Sequence, residues 1–146
     1  MVDWSNQSET FREATASGSI SLKPETVLRI KEEKIAKGDP FYTAKIAGIL
    51  AAKKTSSLIP LCHPLPLTKI DIEIEIADKK TVQVTSTVKA KAQTGVEMEA
   101  LVATAVSLLT IWDMTKQYEK DTEGQYPSTA IGNIRVLKKI KKPLKE

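Results

Sequence analysis

Lys69-Ile70-Asp71-Ile72-Glu73-Ile74-Glu75-Ile76 alternates a charged residue with isoleucine along its whole length. Successive side chains of a strand point to opposite faces, so this pattern predicts a strand with one apolar and one wet face. A turn at Ala77-Asp78-Lys79-Lys80 leads into Val82, Val84 and Val88, again set among polar residues. A hairpin is expected, with Lys89 and Lys91 across from the acidic row. One apolar sheet face needs a cover, and the flanking segments have to supply it.

Downstream, Gly95 ends the hairpin and residues 96 to about 119 carry the longest helical pattern. Between Met98 and Met114 twelve of seventeen positions are apolar, the exceptions being Glu99, Thr104, Ser107, Thr110 and Asp113. Such a helix is too apolar to lie with one side on a sheet and the other in water, so a second subunit is expected against it. After an irregular segment, Lys120 to Gly132, residues Ile134, Val136 and Ile140 suggest a last strand. Upstream, residues 16–22 read as a short strand. Lys23-Pro24-Glu25-Thr26 then opens a helix expected to run to about Lys37 and stop at Gly38. Asp39-Pro40 caps a second helix, whose Ala44, Ala47, Gly48, Ala51 and Ala52 would let it lie close against a neighbour. The order β-α-α-β-β-α-β is the split β-α-β plan of an α+β ferredoxin-like plait: a four-stranded antiparallel sheet with helices on one face and one added helix. Residues 1–146 read as one domain, with 121–146 forming a variable loop, the last strand and a lysine-rich tail.

A chain of 146 residues can build a core without disulfides or structural metal, and its one cysteine forms no internal bridge. This suits a reducing, cytoplasmic setting. The first ten residues lack the charge and apolar run of a signal peptide, and no stretch reads as uniformly apolar enough to span a bilayer. The net charge of +4 is uneven: residues 135–146 hold six basic side chains against Glu146 alone, which leaves the rest of the chain at −1. The basic end reads as a solvated terminus or a steering patch for anions, not as a nucleic-acid surface.

Leu58-Ile59-Pro60-Leu61-Cys62-His63-Pro64-Leu65-Pro66-Leu67 sets the only histidine and the only cysteine side by side among three prolines. Proline fixes φ and withholds an amide, so this is neither a helix nor a central strand. It reads as a stiff corner that presents imidazole, thiol and backbone amides in set directions, or simply as a corner. Glu97-Met98-Glu99 lie near a helix N-terminus, where carboxylates are mildly favoured. Asp113, between Trp112 and Met114, reads as a buried or partly buried carboxylate in need of a partner, with Lys116 one turn later. A desolvated pair of this kind can exchange a proton near neutrality; the plain alternative is an intrahelical ion pair. Lys37, Lys53 and Lys54, near helix ends, could serve phosphates. Glu99 and Asp113 share a helix face within roughly 40° but stand about 21 Å apart along the axis. Two such helices antiparallel about a two-fold axis near Val106 would bring Glu99 of one level with Asp113 of the other.

Together these residues resemble the cyclic pyranopterin monophosphate synthases of molybdenum cofactor biosynthesis. The resemblance rests on Met1-Val2-Asp3 with Arg12-Glu13-Ala14, on Lys37-Gly38-Asp39, and on Ala44 to Lys53 leading into the proline-cysteine-histidine corner. Gly95-Val96-Glu97-Met98-Glu99-Ala100-Leu101 and Trp112-Asp113-Met114 with Lys116 complete it. It implies a lyase that converts a 3',8-cyclo-dihydroguanosine triphosphate to cyclic pyranopterin monophosphate and diphosphate. It further implies a dimer assembled into a hexamer, with sites at subunit interfaces. Asp113, Lys116 and Lys37 match the family's catalytic positions, and Leu61, Cys62, His63, Glu97, Met98 and Glu99 its substrate contacts. No cofactor is required and no metal site is expected, although Mg2+ can accompany the triphosphate. Trp112, Thr115, the segment Asp121 to Ser128 and the lysine-rich tail depart from the family pattern. A nucleic-acid-binding plait is the weaker reading, because the hairpin from Lys69 to Lys91 carries no aromatic residue for base stacking.

Overall fold

The computed structural model describes residues 1–144; Lys145 and Glu146 of the basic tail lie outside the described residues. In chain order the elements are β1 (Thr10–Ser21), α1 (Pro24–Lys31), α2 (Pro40–Lys53), α3 (Thr55–Leu58), β2 (Leu67–Asp78), β3 (Thr81–Ala92), α4 (Glu97–Glu119) and β4 (Ala130–Lys142). The four strands make one sheet in the order β2-β3-β1-β4, with every neighbouring pair antiparallel. β3 therefore lies between β1 and β2, as the split plan requires. The alternating rows put Ile72, Val82 and Val84 under the helices, where they join Ala103, Leu108 and Ile111 of α4, while Val88 packs in a second cluster with Ala100.

α4 packs on β1, β3 and β4, while α2 lies against α4 and β2. The small residues of α2 allow this. A Cβ at Gly48 would run into Ser107 and would stand 2.9 Å from the carbonyl oxygen of Ala103, and the Ser107 hydroxyl donates to the Ala44 carbonyl at 3.0 Å. α4 has the length and hydropathy of a membrane-crossing helix, which corrects the expectation that no stretch does. Of its most apolar window, 56% is buried within the protein, which marks it as the central helix of this fold.

Three further expectations are corrected. β1 begins at Thr10, not at residue 16, because the buried row of its first half, Thr10, Arg12 and Ala14, carries little apolar signal. α1 stops at Lys31 instead of Lys37. Glu33 takes φ 58°, and the amides of Glu33 and Lys34 return to the carbonyls of Ile30 and Arg29, a Schellman closure built without glycine. Lys89 and Lys91 do not face the acidic row of β2: Lys89 is opposite Lys69 and pairs with Glu13 of β1 at 3.5 Å, and Lys91 is opposite Phe11. The last strand expected around Ile134, Val136 and Ile140 is present as the edge strand β4, paired with β1, and it carries the basic side chains up to Lys142 on its exposed positions.

Candidate active site

α2 ends at Lys53, and after the single turn of α3 the chain leaves helical geometry where the prolines begin. Cys62 N–H returns to the Ile59 carbonyl at 3.1 Å, and the corner then runs to Pro66 in neither helix nor strand. It faces the first turn of α4 across a cavity of about 260 Å³. Leu61, Cys62 and His63 line it from one side and Glu97, Met98 and Glu99 from the other, so all six expected substrate contacts meet there.

Sequence reasoning missed the third wall. Trp4 and Gln7 close the cavity from the N-terminal segment. The Trp4 ring leans on His63 with centroids 4.8 Å apart, and Gln93 Nε2 donates to the Gln7 carbonyl at 2.8 Å. An aromatic residue isolated among polar ones near the start of the chain was the available signal. Among the described residues, Trp4 Nε1 is buried without a partner. So is Arg12 Nε, although Arg12 Nη2 donates to the Gln93 carbonyl at 3.2 Å.

The carboxyls of this end differ. Glu99 is only 4% exposed, and burial pushes its carboxyl above the usual range. Burial, helped by the charge of Glu99, likewise raises the Cys62 thiol. Burial is the largest influence on Glu97 and works against its charge, but the Lys139 ammonium 2.7 Å away, a backbone amide and the charge of Arg12 together leave that carboxyl below its ordinary value. Lys139 comes from β4, so the last strand contributes to this end.

At the other end of α4, Asp113 meets two lysines. Lys116 Nζ lies 3.0 Å from Oδ1, and Lys37 Nζ lies 3.3 Å from Oδ2 while donating to the Asp113 carbonyl at 2.8 Å. Lys37 arrives from the turn before α2, where Gly38 takes φ 109° and Asp39 caps the helix by accepting from the amides of Phe41 and Tyr42. Tyr126, from the loop after α4, stacks on Trp112 beside this trio.

The expectation of a buried Asp113 is corrected: its side chain is 60% exposed and those of both lysines 41%. Hydrogen bonds from Lys116 and Lys37 hold the Asp113 carboxyl below its ordinary value, and Asp113 raises Lys116 in turn. The shifts move apart, so in a single chain the pair is a fixed ion pair rather than a proton-exchanging one. The structure thus gathers the nine expected residues into two groups at opposite ends of α4. Lys53 belongs to neither; it opens on a larger trough of about 510 Å³ between α2 and β2, with Lys69 and four apolar side chains. That trough holds no carboxylate, imidazole or thiol among its lining residues, so the smaller cavity is the better candidate for chemistry. Among the described residues, no three His, Cys, Asp or Glu side chains gather where they could hold a metal ion.

A family model described as the MoaC family matches residues 1–141. The chain is 57% identical over 141 residues to a protein of Sulfolobus acidocaldarius named probable cyclic pyranopterin monophosphate synthase, covering 97% of this chain and 98% of that one. A protein of Pyrococcus abyssi with the same name is 54% identical over 97% of this chain and 88% of its own length. A Methanothermobacter thermautotrophicus protein, 52% identical over 97% of this chain and 88% of its own length, is named a probable accessory protein of that synthase.

Proposed function

The chain belongs to the MoaC family, and from that premise we propose that it is a cyclic pyranopterin monophosphate synthase. In molybdenum cofactor biosynthesis this lyase converts (8S)-3',8-cyclo-7,8-dihydroguanosine 5'-triphosphate to cyclic pyranopterin monophosphate and diphosphate. The observation that carries the reading is the division of the chemistry between the two ends of α4. A helix rises about 1.5 Å per residue, so the two groups stand about 21 Å apart, too far for one compact nucleotide.

A second copy resolves the distance. On α4, Met98, Leu101, Ala105, Leu109 and Trp112 recur every three or four residues and are incompletely covered, Leu109 being 57% exposed. A second subunit laid antiparallel on this strip brings its Asp113 trio to the cavity of the first, giving two equivalent sites. The same contact removes water from Asp113 and Lys116. Desolvation then opposes both charges, so the pair becomes an acid–base unit for the proton transfers of ring opening and closure. Lys37 and neighbouring cations hold the triphosphate and offset charge on the departing diphosphate. His63 and Glu99 orient the guanine-derived rings, and Mg2+ can accompany the phosphates. Three such dimers make a hexamer, working in the cytoplasm, where Cys62 stays reduced.

The test supplies the cyclic nucleotide and follows diphosphate and oxidised pterin fluorescence, first with the wild-type protein and then with refolded mixtures of Asp113→Asn and Glu99→Gln. Both variants should be inactive alone. Mixed dimers then hold one intact site, so an equimolar mixture recovers about a quarter of wild-type activity. Recovery of none would refute the shared site, and a folded wild-type protein without turnover would refute the lyase. In that last case the accessory name of the Methanothermobacter relative supplies the second reading, a non-catalytic subunit that keeps the fold.

A further inference from the structure

Lys37 is a long side chain on an exposed connection, yet its ammonium is held on the carboxylate and carbonyl of Asp113. The connection from Glu32 to Asp39 is not rigid in itself. Every residue in it except Ile35 is exposed, and it contains two left-handed turns, at Glu33 and Gly38. Something beyond Lys37 must fix where it lies on α4.

Besides the contacts of Lys37 itself, the hydrogen bonds found among the described residues from this connection to α4 all go to one group, the Tyr118 hydroxyl. It accepts from the amide of Ala36, the residue before Lys37, at 2.8 Å, and is directed at the Lys34 carbonyl at 3.5 Å. Its ring is held in turn: the Arg29 guanidinium of α1 lies over it, 4.5 Å from the centroid. Tyr118 is five residues past Asp113 on the same helix, so one rigid element carries both the carboxylate and the peg.

We infer that Tyr118 is a positioning residue for Lys37: its hydroxyl pins the Ala36 amide to α4 and so sets the Lys37 ammonium on Asp113. The role rests on the proposed function insofar as Lys37 and Asp113 serve the reaction. The pinning itself can be read without any turnover.

Tyr118→Phe keeps the ring and its Arg29 contact and removes only the hydroxyl. The freed amide faces water, so folding is little affected and the thermal midpoint should stay within about 2 °C of wild type. The Asp113 carboxyl, read by NMR titration, faces Lys37 and Lys116, with Tyr126 close to Lys116. If Tyr118 acts through Lys37, Tyr118→Phe moves this titration upward, Lys37→Ala moves it at least as far, and the double variant moves it no further. In the assay kcat falls about tenfold, the cost of a misplaced charge. In the Lys37→Ala background Tyr118→Phe adds nothing. An Asp113 titration unchanged by Tyr118→Phe would overturn the inference, as would equal losses of kcat with and without Lys37. A wild-type protein without turnover would remove the function but leave the titration to decide the pinning.

Discussion

The two ends of α4 are prepared in opposite ways. At the N-terminal end Glu99 is buried, its carboxyl is pushed toward the neutral form, and three separate segments wall a cavity around it. At the C-terminal end Asp113 is in the open, held ionised by two lysines, with no wall around it. One end is organised by exclusion of water and the other by charge. A charged group worth little in water gains strength once a wall excludes water, so the second end is the half that waits for a cover.

The largest test of that contrast removes one charge from the open end. Asp113→Asn keeps the shape but leaves Lys37 and Lys116 facing an amide, and kcat should fall by about 10²–10⁴-fold, the range of a lost acid–base group. Its thermal unfolding should stay near wild type, because exposed ion pairs contribute little. A loss of activity accompanied by equal loss of stability would mean that Asp113 is structural and the contrast false.

The ends are also anchored differently. Gly48 lets α2 approach α4 closely, and α2 leads into the proline corner over Glu99. In Gly48→Leu the new side chain meets the Ala103 carbonyl, which cannot swing aside, and a loss of about 3 kcal/mol is expected in denaturant unfolding. The other anchor is polar. Glu119 is fully buried and accepts from the Lys23 amide, the Thr26 hydroxyl and, at 2.6 Å, the Thr129 hydroxyl, tying α4 to the start of α1 and the approach to β4. Glu119→Ala strands those donors and should cost about 2–3 kcal/mol by the same measurement. A neutral result at either position would show that its end of α4 is held by something else.

The sequence made the hairpin, α4 and the Asp39 cap legible because each is a local pattern: strict alternation, a long apolar run, and a capping side chain before proline. β1 was half hidden because the buried row of its first half is Thr10, Arg12 and Ala14, two polar side chains and one small one, with no apolar alternation to read. The end of α1 was hidden because Glu33 does a task usually given to glycine. The nine site residues were identifiable by type and by resemblance, but not by environment. Asp113 looked buried because its neighbours Trp112 and Met114 are apolar. In the fold Met114 faces the core while Asp113 faces out, a 100° step that a reading of neighbours ignores. The meeting of Trp4 with His63 joins segments some sixty residues apart, and nothing local announces it.

The smallest effect tests the enclosed end. A carboxyl whose pKa is raised by folding binds its proton more tightly in the folded state than in the unfolded chain. Its contribution is therefore most favourable below the unfolded value of about 4.3, and is lost as pH rises through the folded value. Above that folded value the ionised Glu99 carboxylate weighs against the fold. Glu99→Gln removes the buried charge at nearly constant volume, so it should abolish turnover while raising stability at pH 7 by roughly 1 kcal/mol, the scale of a desolvated polar group. The gain should shrink as pH falls and the wild-type carboxyl takes up its own proton. A variant destabilised at pH 7 would mean that the Glu99 carboxylate has a partner, and that this end too is organised by charge.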